Sequence, residues 1–306
     1  MSINKSIEEK EPEILKESFP PFILFKKTLF KDVATRSKFI GAIIGLMLIP
    51  LMVLPFTKLL IISPNTSMFE FGFGYVYFII NISVIFSIII SMGTAPLISY
   101  EIKEGIMLML VSKPINRTNI FLSKFLAVFL FGSVISFISL SLICLLTYAF
   151  YPFYDILPFF AVVYIYSLIV LLFFECVTMG ISCISRKPKN VVIIPLGLII
   201  FLFLAFLIVK AFLMMGGSDN FEKYGLYIFD LGYHFANFYF LLVDILLNIE
   251  VNPFFMIYGV AKYTEGVGLE YTNYVPPVVS LILLISIAIL IVLMGYFYFR
   301  KKDIHS

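Results

Sequence analysis

Six long apolar runs, at about 39–62, 75–99, 120–150, 158–185, 191–215 and 276–299, set the terms for any fold this chain can adopt. Each reaches the ~20 residues that an α-helix needs to cross ~30 Å of hydrocarbon. Inside lipid no water is at hand for backbone N–H and C=O groups, so each run must satisfy its own backbone as a helix. With 61% hydrophobic residues, 13% charged residues and a mean hydropathy of +1.04, most of the chain has lipid as its solvent. The expected fold class is an all-α membrane protein with six transmembrane helices. The formal charge of +3 is too mild to imply a nucleic-acid partner.

Six crossings put both ends on one side, and the cations say which side it is. Lys5, Lys10, Lys16, Lys26, Lys27, Lys31, Arg36 and Lys38 precede the first run. Lys103, Lys113, Arg117 and Lys124 lie between the second and third, and Arg186, Lys187 and Lys189 between the fourth and fifth. Arg300, Lys301 and Lys302 follow the last, leaving Lys58, Lys210, Lys223 and Lys262 for the other side. Both termini and the segment 99–124 are therefore expected in the cytoplasm.

Residues 1–18 read as a polar tail of mixed charge. After Pro20-Pro21, helical spacing puts Phe22, Phe25, Leu29 and Val33 on one stripe and Lys27, Lys31 and Lys38 on another. Such a basic amphipathic helix lies in the headgroup plane, as an elbow before the first span or as an ordinary basic anchor. The last outer connection, 216–275, carries Asp219, Glu222, Asp230, Asp244, Glu250, Glu265 and Glu270 against Lys223 and Lys262. Its apolar part, 226–249, is interrupted by Asp230, His234, Asn237 and Asp244, too polar for a lipid-facing span. Short helices dipping into the outer leaflet fit it better than two further crossings. The expected organisation is a tail and elbow helix at 1–38, one membrane domain at 39–299, and a short tail at 300–306.

The segment 99–124 reads SYEIKEGIMLMLVSKPINRTNIFLSK. It holds its own apolar stretch, 106–111, between charged ends, as a short helix does when it lies at the membrane surface and presses against something else. Glu101, Glu104, Gly105, Leu108, Leu110, Ser112, Pro114, Arg117 and Lys124 resemble the cytoplasmic coupling loop of ABC type-2 transporter permeases, the membrane subunits of ABC exporters. Ile106 stands where that family often has Thr or Ser. The resemblance implies two permease chains, identical or homologous, over two soluble ATPase subunits, and re-entrant helices between spans five and six. It implies ATP and Mg on the partner ATPase and no cofactor in this chain, in keeping with the lack of a GxxxxGK[ST] phosphate loop anywhere in the sequence. Ile106, Met107, Leu108 and Leu110 are then expected to fill the ATPase groove, with Glu101, Glu104 and Arg117 at its rim and Pro114 turning the chain into span three.

Glu175 is the only acid deep inside a run, about ten residues from its inner end. It lines a substrate path or serves as a structural acid bonded to a neighbouring span. Lys210, near an outer span end, is expected to snorkel. Asp230 and His234 share a helix face but lack a third ligand, so no metal site is expected. Cys144, Cys176 and Cys183 all sit in apolar runs with neither a disulfide nor a zinc spacing. The hydroxyls of Ser133, Ser136, Ser139 and Ser141 suit helix–helix packing. The functional expectation is a permease subunit, exporting when a separate ATPase hydrolyses ATP, in the plasma membrane. The alternatives are a polytopic scaffold or an ion-coupled secondary transporter.

Overall fold

A computed structural model describes residues 21–60, 74–111, 116–150, 156–185, 187–215, 220–247, 254–264, 268–272 and 274–301. The N-terminal tail, residues 302–306, Ser112 and Pro114 lie outside the described residues. The fold is an all-α membrane bundle, and its long helices follow the apolar runs.

Helix α1 (Pro21–Lys27) continues through a wider π-helical turn (Thr28–Val33) and meets α2 (Arg36–Leu60) at a bend of 62°. This is an amphipathic segment ahead of the first span, with Leu24, Thr28, Leu29 and Val33 buried and Lys26, Lys27 and Lys31 exposed. The second span starts as a π-helix (Gly74–Phe86) and runs on through α3 (Ser87–Thr94) and α4 (Pro96–Lys103). A short helix α5 (Ile106–Val111) precedes α6 (Arg117–Phe150) and α7 (Ile156–Ile184), the third and fourth spans. The fifth joins α8 (Pro188–Ile200), a π-turn (Phe201–Ala205) and α9 (Phe206–Met215). Pro96 and Pro188 occupy first-turn positions, where a missing N–H costs nothing.

The connection between the fifth and last spans holds α10 (Asn220–Lys223), a 3-10 turn (Leu226–Ile228), α11 (Leu231–Leu247) and α12 (Phe254–Ile257). A hairpin, β1 (Ala261–Thr264) with β2 (Gly268–Tyr271), leads to the last span, α13 (Pro277–Lys301). Its register sets Lys262 across from Glu270, an opposite-charge pair that supports a two-stranded sheet. The hairpin departs from the purely helical expectation. At 17 residues, α11 is short for a crossing, and it packs inward against α7 and α13.

Helix α7 is the centre of the bundle, touching α13, α6, α11 and the second span. From Phe173 to Gly180 it is buried on every side. It crosses α13 at Gly180 and Gly295, where a Cβ added to Gly295 would lie 2.5 Å from the Gly180 Cα. Backbones approach this closely in lipid only where both partners are glycine. Helices α8 and α13 present isoleucine, leucine and phenylalanine outward, among them Ile193, Ile194, Phe201, Ile289 and Phe297. A second, smaller core gathers Leu24, Ile98, Met107, Ile120, Phe121, Met179, Cys183 and Phe299 at one end of the bundle.

Candidate functional site

The second span ends at Gly105, whose φ of +73° is the left-handed conformation that closes a helix and that glycine adopts without strain. The Glu104 N–H still bonds to Tyr100 O at 2.9 Å, and the Gly105 N–H to Ile102 O at 3.3 Å. Helix α5 starts at the next residue, so the stretch 106–111 is set apart from the span by one backbone reversal. Met107 anchors it: its side chain is 0% exposed within the small core. Leu110 leans on the same core, while Ile106 is half-buried. Leu108 lies on α5, and its side chain falls outside the described residues.

Three of the residues expected at a partner's groove are engaged within the chain instead. Met107 faces inward, since a six-residue helix of apolar residues needs one face on its own protein to stay folded. Glu101 pairs with Lys124 at 2.7 Å, and the same ammonium donates to Leu97 O at 2.6 Å. Lys124 is 1% exposed inside an apolar run, where a cation without an anion would be expensive. Arg117 donates to Phe299 O and Arg300 O, both at 3.1 Å, capping the carbonyl end of α13. Beside it the hydroxyls of Thr118 and Tyr296 lie 2.8 Å apart. Asn116 caps α6 by accepting the Thr118 N–H at 3.1 Å. Glu104 alone of the expected rim residues remains open to solvent, 3.8 Å from Lys103.

The junction is thus a knot of four elements, the ends of spans two, three and six and helix α5. Sequence reasoning missed Lys124 as its central residue. The available signal was its position: Lys124 is followed by seven apolar residues, a depth at which a lysine needs a partner.

From the junction a polar seam follows α7 into the bundle. Ser182 bonds to the backbone of Ala95 and Ser99, Thr178 donates to Ser91 at 3.3 Å, and Ser167 bonds to Ser136. Tyr166 and Ser83 close it at 2.8 Å. Of the serine stripe on α6, Ser136 joins this helix contact, while Ser133 and Ser141 bond back to their own helix. Asn81, Ser136, Ser139 and Ser167 line a small internal chamber in the seam. Glu175 lies along the same helix at 0% exposure, its carboxyl against the Phe129 backbone without a full hydrogen bond. It does not line that chamber.

At the other end, Lys210 and Asp230 form an ion pair with both side chains 0% exposed. Lys210 therefore does not snorkel: the connection before the last span folds back and supplies its anion. Tyr258 and Phe206 turn their rings to the ammonium at 5.1 and 5.4 Å. His234 leaves Asp230 and bonds to Ser280 at 2.9 Å and to Ile228 O at 3.1 Å. Asn237 donates to Ser280 and to Val275 O and accepts from the Tyr271 hydroxyl. Among the described residues no group of three His, Cys, Asp or Glu side chains is placed to hold a metal ion.

A helical bundle spanning the membrane, with a short helix seated between two spans at a charged junction, defines a polytopic membrane protein. The family model for the ABC-2 family transporter proteins matches residues 30–304, and the chain belongs to that family. It is an ABC transporter permease and a multi-pass membrane protein. No curated protein matches it.

Proposed function

We propose that this chain is the membrane subunit of an ABC exporter of the plasma membrane, driven by a separate ATPase subunit and paired with a second permease chain. Its termini and the segment 99–124 face the cytoplasm, as the distribution of lysine and arginine argues. Helix α5 is the coupling element. Ile106, Leu108 and Leu110 meet the ATPase groove and Glu104 its rim, while Met107, Glu101 and Arg117 hold the helix to the spans. When ATP closes the ATPase dimer, the motion enters through α5 and moves spans two and three together.

The single observation that carries this reading is the Glu101–Lys124–Leu97 contact, which fastens the end of span two to span three at the base of α5. A push on α5 would reach both spans through this contact, as coupling requires. Glu175 is proposed as an acid beside the substrate path, reached when the spans separate.

The test is co-purification of the tagged chain from its host in mild detergent. A soluble ATPase is expected to follow it, and Ile106→Asp with Leu108→Asp to release that ATPase while leaving the permease folded. A chain recovered without any ATPase would favour a scaffold instead.

A further inference from the structure

Between α1 and the start of α6 lies a crevice of ≈ 460 Å³ lined by Phe22, Phe25, Asn119, Leu122, Ser123 and Leu126. Its volume falls in the ~300–1,000 Å³ range of small-molecule sites. The α6 residues share one face, at spacings of three and four, and run for about 10 Å along the helix. Phe22, Leu122 and Leu126 are 69%, 47% and 53% exposed, so the walls are apolar and open on the outer surface of the bundle. The same face of α6 continues through Leu130, Val134 and Phe137, all exposed. A hydrocarbon chain lying along that face would run straight into the crevice.

The mouth carries positive charge. Lys26 stands one turn after Phe22, with Lys27, Lys31, Arg36 and Lys38 on the same segment, all exposed, against Asp32 alone. Lys38 is bound to the Asp32 carbonyl at 2.6 Å, whereas Lys26 and Lys27 stand on the same helix as Phe22 and Phe25 and are the cations nearest to them in sequence. Apolar walls beside a cationic rim match one chemistry, an acyl tail joined to an anionic headgroup.

We infer that the crevice between α1 and α6 is a binding site for an anionic phospholipid, with one acyl chain against Phe22, Phe25, Leu122 and Leu126 and the headgroup phosphate at Lys26 and Lys27. The lipid becomes part of the wall that holds the amphipathic segment to span three, so membrane composition reaches the bundle here.

The chain contains no tryptophan, so Phe22→Trp creates a lone fluorophore in the crevice wall, and Ile289→Trp a control on the exposed face of α13. Each full-length variant is reconstituted in phosphatidylcholine vesicles containing phosphatidylglycerol or phosphatidylcholine with brominated, quenching tails. Quenching of the Phe22 reporter by phosphatidylglycerol is expected at a several-fold lower mole fraction than by phosphatidylcholine, with no preference at the Ile289 reporter. Removing Lys26 and Lys27 as Lys26→Gln and Lys27→Gln reduces that preference about five-fold for each lysine. Filling the crevice with Asn119→Phe lowers quenching at the Phe22 reporter while the lysines remain. Equal quenching by both lipids, or equal selectivity at both reporters, overturns the site. So does quenching that survives Asn119→Phe unchanged, which would reduce the effect to surface attraction. Unaltered quenching of the Ile289 reporter by phosphatidylcholine shows that each variant is inserted and folded.

Discussion

The Ser182 hydroxyl accepts the Ser99 N–H at 3.0 Å and donates to the Ala95 carbonyl at 3.1 Å, so a side chain of α7 is fastened to the first turn of α4 in the second span. Ala95 stands just before α4, so its carbonyl also takes the first bond of that helix, from the Ser99 N–H. The same carbonyl is shared by the hydroxyls of Ser99, at 2.7 Å, and Ser182. The contact falls just past Pro96, which has no N–H to give the ladder.

Ser182→Ala removes a buried hydroxyl that bridges two backbone groups of the second span. The expected loss is about 0.5–1.5 kcal/mol of stability per hydrogen bond, read as a lower thermal unfolding temperature in detergent. Thr178→Val is the comparison. It also removes a buried hydroxyl of α7, but one that meets only a side chain of the second span, and is expected to cost less.

Glu101 and Lys124 should behave as a buried pair. Glu101→Ala leaves an uncompensated ammonium at 1% exposure and is expected to destabilise the chain by about 3–5 kcal/mol. The double substitution Glu101→Leu with Lys124→Met removes both charges and is expected to recover most of that loss. A double-mutant cycle by thermal unfolding measures the coupling; additive single losses would mean that the pair is not coupled. If the junction transmits motion as proposed, a complex carrying the stable double variant still hydrolyses ATP on its ATPase subunits but does not transport.

The spans were legible in the sequence because length and apolarity alone decide what crosses lipid. Gly105 stood out in the sequence only as part of the resemblance, and its role as a helix stop comes from its φ of +73°. What the sequence did not display was pairing across helices. Glu101 with Lys124, Lys210 with Asp230 and Gly180 with Gly295 each depend on which faces of two helices meet, and nothing in one run states its rotation against another. Met107 illustrates the same point: its neighbours in sequence are all apolar, so only packing against Phe299 and Cys183 marks it as the inward one. The hairpin was hidden for a different reason. Its strands are four residues long, too short for alternation to stand out.

At the α7–α13 crossing, Gly295→Val is expected to fail to fold or to lose several kcal/mol, because the added carbons meet backbone that cannot rotate away. Gly41→Ala provides the contrast: a Cβ there meets nothing within 4 Å, and its φ is ordinary. Expression level and thermal unfolding in detergent separate the two, and equal behaviour would mean that the crossing is looser than described.

The network around α11 makes stability depend on pH through His234, which lies on that helix rather than in a spanning segment. Ile228 O can only accept, so the His234 Nε2 carries the proton and Nδ1 accepts from Ser280. Burial pushes the imidazole below its ordinary range; the Ile228 carbonyl and Asp230 act against that shift, and Lys210 adds to it. A base depressed in the folded state is protonated first in the unfolded chain, so stability is full above the unfolded value of about 6.5 and falls as the medium turns more acid. Thermal unfolding at pH 5.5 should therefore come at a lower temperature than at pH 7.5. His234→Gln keeps a hydrogen-bonding side chain but cannot titrate, and is expected to flatten that difference. If the variant kept the full pH slope, the sensitivity would not belong to His234.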